Sequence, residues 1–170
     1  MISIHRLQAA DDLRDLVALS RAFFQEYEAH DEVFFALDVL DEGAIADYFS
    51  SFVGQEDRAA FVALREGRAV GYVTVYVQVQ SPNWKVRRVG HISGLMVRPE
   101  ERRQGIGGQL MDRARAYLGE RGVRYYTLYT VVGNRGALAF YEAQGMAPLY
   151  THLLGEIEDG GAGDGVSTGV

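Results

Sequence analysis

From residue 72 to residue 79 the chain alternates without a break. Val73, Val75, Val77 and Val79 fall on one side, and Tyr72, Thr74, Tyr76 and Gln78 on the other. A period of two over this length describes a strand in a sheet, because successive side chains of a strand point to opposite faces. Further on the period changes. Ile106, Leu110, Ala114 and Leu118 recur every four residues, which lays one apolar stripe along a helix. A sheet packed against helices is the fold that holds both patterns.

The other elements fall into place around these two. Ile2 and Ile4 read as a short first strand, and Asp11 or Asp12 stands where a cap would open a helix running to about Ala29. A second helix is predicted over residues 43–52, strands over 59–65 and 86–97, and the striped helix over 104–121. Residues 123–131 read as a strand, 135–144 as a helix ended by Gly145, and 149–157 as a last strand. The order β-α-α-β-β-β-α-β-α-β predicts an α/β fold, a mixed sheet with helices on its faces. The connection from Val97 through the striped helix to Val123 predicts a parallel, right-handed crossover. Residues 1–158 are expected to form a single domain, and the glycine-rich residues 159–170 a mobile tail.

Composition narrows the chemistry. A net charge of -6 over 170 residues argues against a general nucleic-acid binder. The absence of cysteine excludes a thiol nucleophile and thiolate metal sites. The longest largely apolar stretch, residues 69–79, is far shorter than the ~20 residues a membrane helix needs. Met1 to Arg6 already alternates and acids follow at once, so no leader is evident and a cytoplasmic protein is expected. The charge is unevenly placed: residues 1–66 hold 14 acids and 5 bases, residues 85–124 hold 10 bases and 4 acids. That suits a protein receiving an anion on one element and a cation nearby.

The basic region contains a glycine-rich turn, Val97-Arg98-Pro99-Glu100-Glu101-Arg102-Arg103-Gln104-Gly105-Ile106-Gly107-Gly108, between a strand and the striped helix. Glycines at a helix start leave backbone N–H groups uncovered at the positive end of the helix dipole, which favours an anion. Arg102 and Arg103 would add charge-assisted bonds to a phosphate. A P-loop would need Lys-Ser or Lys-Thr, and the dinucleotide fingerprint a glycine at position 110; neither is present. Arg102-x-x-Gly105-x-Gly107 remains. A second motif, Asn134-Arg135-Gly136-Ala137-Leu138-Ala139-Phe140-Tyr141, follows the next strand.

The two motifs in this order, a helix and a strand apart, resemble the GNAT N-acetyltransferase superfamily over about residues 2–157. The resemblance implies acetyl-coenzyme A as donor, with no metal, and a primary amine on a small molecule or peptide as acceptor, joined by direct attack in a ternary complex. It implies that Arg102, Arg103, Gln104, Gly105, Ile106, Gly107 and Gly108 hold the pyrophosphate. Leu95, Met96 and Val97 would pair their backbone with the pantetheine arm and direct an N–H at the acetyl carbonyl. Asn134 would contact the cofactor, a place it can combine with capping the last helix. Tyr141, two helical turns on, would protonate the departing thiolate; its other reading is an aromatic packed on the sheet.

The base that must deprotonate an ammonium of pKa ~10 is left unassigned, because the nearby strand positions His91, Ser93 and Gly94 include no acid. His91 is chemically suited to the task, though it also reads as a structural histidine. Glu26, where the first helix ends among Phe23, Phe24, Tyr27, Phe34 and Phe35, is the residue expected to recognise a cationic acceptor. Two other functions fit the same motifs: a non-catalytic acyl-coenzyme A sensor, and an acetyltransferase acting on protein lysines or N-termini. Members of the superfamily often dimerise, so a homodimer is an expectation of the resemblance.

Overall fold

The 72–79 alternation separates two cores. In the computed structural model, which describes residues 1–157, the strand β3 (Arg68–Val79) is buried on both faces over most of its length. Val73 and Val75 pack with Ile106, Leu110, Ala114 and Leu118 on one side. Tyr72 packs with Leu16, Leu19, Phe49 and Met96 on the other.

The remaining elements are β1 (Ile2–Arg6), α1 (Arg14–Glu28), α2 (Glu42–Ser50), β2 (Arg58–Arg65), β4 (Arg88–Val97), α3 (Ile106–Glu120), β5 (Tyr126–Leu128) and α4 (Arg135–Ala143). A 3₁₀ turn at Pro99–Glu101 joins β4 to α3. The sheet runs β1-β2-β3-β4-β5, with antiparallel neighbours except for the parallel pair β4 and β5. Helices α1 and α2 cover one face. Helix α3 covers the other, with Phe140 and Tyr141 of α4 packed against the same cluster.

Three expectations need correction. The acids before α1 do not cap it: Leu13 holds the cap position, Asp12 accepts the Arg14 N–H (3.0 Å), and Asp11 bonds His5 (2.8 Å) and the Gln8 N–H (2.9 Å). Helix α2 has the cap that α1 lacks, since Asp41 accepts from Gly43 N–H (2.8 Å) and Ala44 N–H (3.1 Å). The strand expected over 123–131 shortens to three residues, because the chain leaves β4 after Leu128. Residues 149–157 form no ladder, so the observed order lacks the last strand. Leu149, Leu153, Leu154 and Ile157 stay largely exposed; apolar and aromatic residues supply strand propensity, but a three-residue neighbour offers little edge to pair with. The tail expected over 159–170 lies outside the described residues.

Two glycines let elements approach closely. A Cβ on Gly90 would stand 2.4 Å from Leu118 Cδ1, and one on Gly71 would stand 2.8 Å from the Met96 carbonyl oxygen. The second obstacle is backbone and cannot turn aside. Gly71→Ala should therefore lower the unfolding free energy by about 1–3 kcal/mol, read as an earlier midpoint in urea.

Candidate active site

Strand β4 changes character at Ser93. Upstream it pairs with β5 at Gly90–Tyr126, His91–Thr127 and Ile92–Leu128. On its other side, Ile92 faces Val75 and Gly94 faces Thr74, which leaves Ser93 as the extra residue of a bulge. Downstream, residues 93–97 have β3 on one side and, among the described residues, no strand on the other. The Arg98 N–H donates to the Val70 carbonyl (2.9 Å) and sets the phase of this half. Alternation then turns the N–H and C=O of Leu95 and Val97 toward the open edge. Their side chains pack on the α3 cluster, and Met96 is buried in the other core.

The open edge leads into the glycine-rich turn. Arg103 (φ 59°) and Gly105 (φ 79°) both take the left-handed conformation, which ordinary side chains rarely adopt. Gly105 occupies the cap position of α3 without any side-chain cap. Among the described residues, the N–H groups of Arg103, Gln104, Gly105, Ile106, Gly107 and Gly108 donate to no protein acceptor. Such a row at a helix start is an anion cradle.

The turn is held from outside. Arg98 donates Nη2 to Asp15 (2.9 Å) and Nε to the Ala69 carbonyl (2.9 Å), while Arg65 donates to Gln104 Oε1 (2.8 Å). Arg102 donates Nε to the Val97 carbonyl (2.9 Å) and pairs with Glu26 at the end of α1. Glu26 thus meets the turn. Its acidic neighbours are also engaged: Glu28 accepts the Leu37 N–H (2.9 Å), and Asp31 accepts those of Val33 and Phe34 (3.0 and 2.9 Å).

Helix α4 stands against this turn. Asn134 caps it by accepting the Ala137 N–H (3.1 Å). Phe140 lies over Gly107, where a Cβ would meet its ring at 3.3 Å. Tyr141 is half-buried next to Phe140 (centroids 5.2 Å apart). Burial pushes its phenol up to about 12, with Tyr27 adding to the shift. It therefore stays protonated at neutral pH and has an O–H to donate.

On the α1–α2 face, upstream of the bulge, His91 is 6% exposed. Its Nδ1 is 3.1 Å from Thr127 Oγ1, and its ring lies between Tyr76 (5.2 Å) and Tyr129 (5.0 Å). Three further hydroxyls meet beside it. Ser93 Oγ is 2.9 Å from Thr74 Oγ1 and 3.0 Å from the Tyr48 hydroxyl, which is 3.1 Å from Thr74. Sequence reasoning missed Tyr48 and Thr74 because they lie on α2 and β3, far apart along the chain. The polar residue among the strand's aromatics at Thr74 was the available signal.

A family model, acetyltransferase (GNAT) family, matches residues 14–146. The chain belongs to the GNAT family. An uncharacterized N-acetyltransferase of Methanocaldococcus jannaschii is 30% identical over 79% of this chain and 56% of its own length, so the chain spans little more than half of that relative. One from Archaeoglobus fulgidus is 30% identical over 79% of this chain and 86% of its own. An aminoglycoside N-acetyltransferase in complex with CoA has the same fold: TM-score 0.74, 17% identity, 94% of this chain and 96% of that one. The GNAT assignment agrees with the mixed sheet observed.

Burial pushes the His91 imidazole below its ordinary value. The unfolded chain therefore takes up the proton first as pH falls. The associated stability is complete above pH ~6.5 and is lost below it, toward the folded-state value. Urea midpoints measured between pH 7.5 and 5 should fall less steeply in His91→Gln than in the parent protein.

Proposed function

We propose that this GNAT protein transfers an acetyl group from acetyl-coenzyme A to a primary amine of a small molecule or peptide. One observation carries the reading: the edge of β4 at Leu95 and Val97, which no strand of the described residues pairs, runs directly into six N–H groups at the start of α3 that meet no acceptor among those residues. An extended amide-bearing arm that ends in a diphosphate fits that pair of features. Arg103, Gln104, Gly105, Ile106, Gly107 and Gly108 would hold the diphosphate through backbone N–H groups. Leu95, Met96 and Val97 would supply the strand against which the arm lies, and Asn134 would border it from α4. Arg102 already holds the Val97 carbonyl and pairs with Glu26, which supports a part for Glu26 on the donor side.

In the reaction, the amine nitrogen attacks the thioester carbonyl carbon, the C–N bond forms and the C–S bond breaks. An N–H on the open β4 edge stabilises the charge that builds on the carbonyl oxygen. Tyr141 gives its proton to the departing sulfur. His91, kept neutral by burial, is assigned to accept the proton that the amine must lose.

Calorimetry with acetyl-coenzyme A, followed by thiol detection with a panel of amines, tests the reading. The chain contains no cysteine, so any thiol that appears comes from the donor. Binding and amine-dependent thiol release are expected. Tyr141→Phe should lower kcat by about 10²-fold while acetyl-coenzyme A affinity stays within a factor of two or so. No association removes the whole reading. Association without thiol release would favour a non-catalytic sensor, and release only with peptide amines would favour a protein substrate.

A further inference from the structure

We infer that the hydroxyl groups of Tyr48, Thr74 and Ser93 seat the acceptor's amine nitrogen, and that the row Tyr76, His91, Tyr129 and Tyr150 receives an uncharged, flat body attached to it. The inference rests on the acetyl-transfer reading above and names the acceptor class for that site.

Counting protons gives the first half. Each hydroxyl has one O–H to donate and two acceptor positions. The three oxygens stand 2.9, 3.0 and 3.1 Å apart in a closed triangle. Run as a ring, each hydroxyl donating to the next, the triangle uses three protons and three acceptor positions and leaves three acceptor positions. The 3.5 Å approach of Thr74 Oγ1 to the Gly94 carbonyl is too long to compete well. In that arrangement the cluster accepts from N–H donors. An amine is such a donor.

The bulge makes the cluster reachable. Ser93 and Gly94 both lie on the side of Thr74, and a Cβ on Gly94 would stand 3.0 Å from Thr74 Oγ1. Glycine keeps that space clear. Thr74 is fully buried, but Tyr48 is 41% exposed, so the triangle spans from the core to the surface. Ser93 precedes Leu95, on the open edge, by two residues, about 6.6 Å along a strand.

The second half comes from what surrounds the triangle. Tyr76, His91, Tyr129 and Tyr150 stack in sequence with centroids 5.2, 5.0 and 6.1 Å apart. Tyr129 and Tyr150 are each about 60% exposed. Tyr76 stands two residues from Thr74 on β3, and so on the same face, which sets the row beside the triangle. Near the end of α1, Glu26 pairs with Arg102, Glu28 accepts the Leu37 N–H and Asp31 accepts the Val33 N–H, so these three carboxylates already have partners in the protein.

The test uses the whole chain with 2-phenylethylamine and spermidine as acceptors, following thiol release. The parent protein should show the lower KM with 2-phenylethylamine. Ser93→Ala and Tyr48→Phe should each raise that KM about tenfold or more, with the KM for acetyl-coenzyme A and the thermal midpoint little changed. Ser93→Thr, which keeps the hydroxyl, should restore most of the loss. An unaltered amine KM in both variants, or a preference for spermidine, overturns the inference while acetyl transfer stands. If acetyl-coenzyme A binds but neither amine releases thiol, and other amines in the panel do, the inference falls alone. If no amine does, transfer falls with it.

Discussion

A strand inside a sheet must find partners for its N–H and C=O groups on both sides, and a buried group left without one costs roughly 1–3 kcal/mol. Among the described residues, the second half of β4 meets this demand with a strand on the β3 side alone. The outward groups of Leu95 and Val97 are tolerated because β3 and the cores on either face hold the strand in place, while Arg102 takes up the Val97 carbonyl. The site follows from that one incomplete ladder. Its direction leads into the α3 turn, its bulge sets the Ser93 hydroxyl beside those of Tyr48 and Thr74, and its upper half fixes His91 against Thr127.

The turn shows a similar division of labour. Its N–H groups meet no acceptor among the described residues, and side chains hold its shape. Arg98 ties it to Asp15 on α1 and to the β3 backbone; Arg65 reaches it from β2. The unengaged amides are kept in place by a shell of charge-assisted bonds, so a ligand arriving there needs to order rather little of the protein.

What could be read from the chain was what neighbours in sequence decide. The valine alternation located β3, the four-residue stripe located α3, and the glycines with Arg102 marked the turn between strand and helix. Asn134 was readable both as a cap and as part of a motif, and it does cap α4. Features decided by distant partners were not readable. Asp11 and Asp12 have the right chemistry for a cap, yet His5, Gln8 and Arg14 claim them. Residues 149–157 have the apolar content of a strand but pair with no strand among the described residues. Glu26 meets Arg102 from 76 positions away, and the meeting of Tyr48 with Thr74 and Ser93 needed three separate elements to be in place.

Consider finally the doubled position in β4. Gly94 faces Thr74 and Ile92 faces Val75, so the two pairs are consecutive on β3 although a residue separates them on β4. Excise Ser93 and both halves of the strand would fall into one register, with every remaining side chain on its present face. Nothing would then bend the strand, and β5 could zip onward alongside it. A single residue thus acts as a wedge: the straightened protein would gain a more regular sheet and lose the opening.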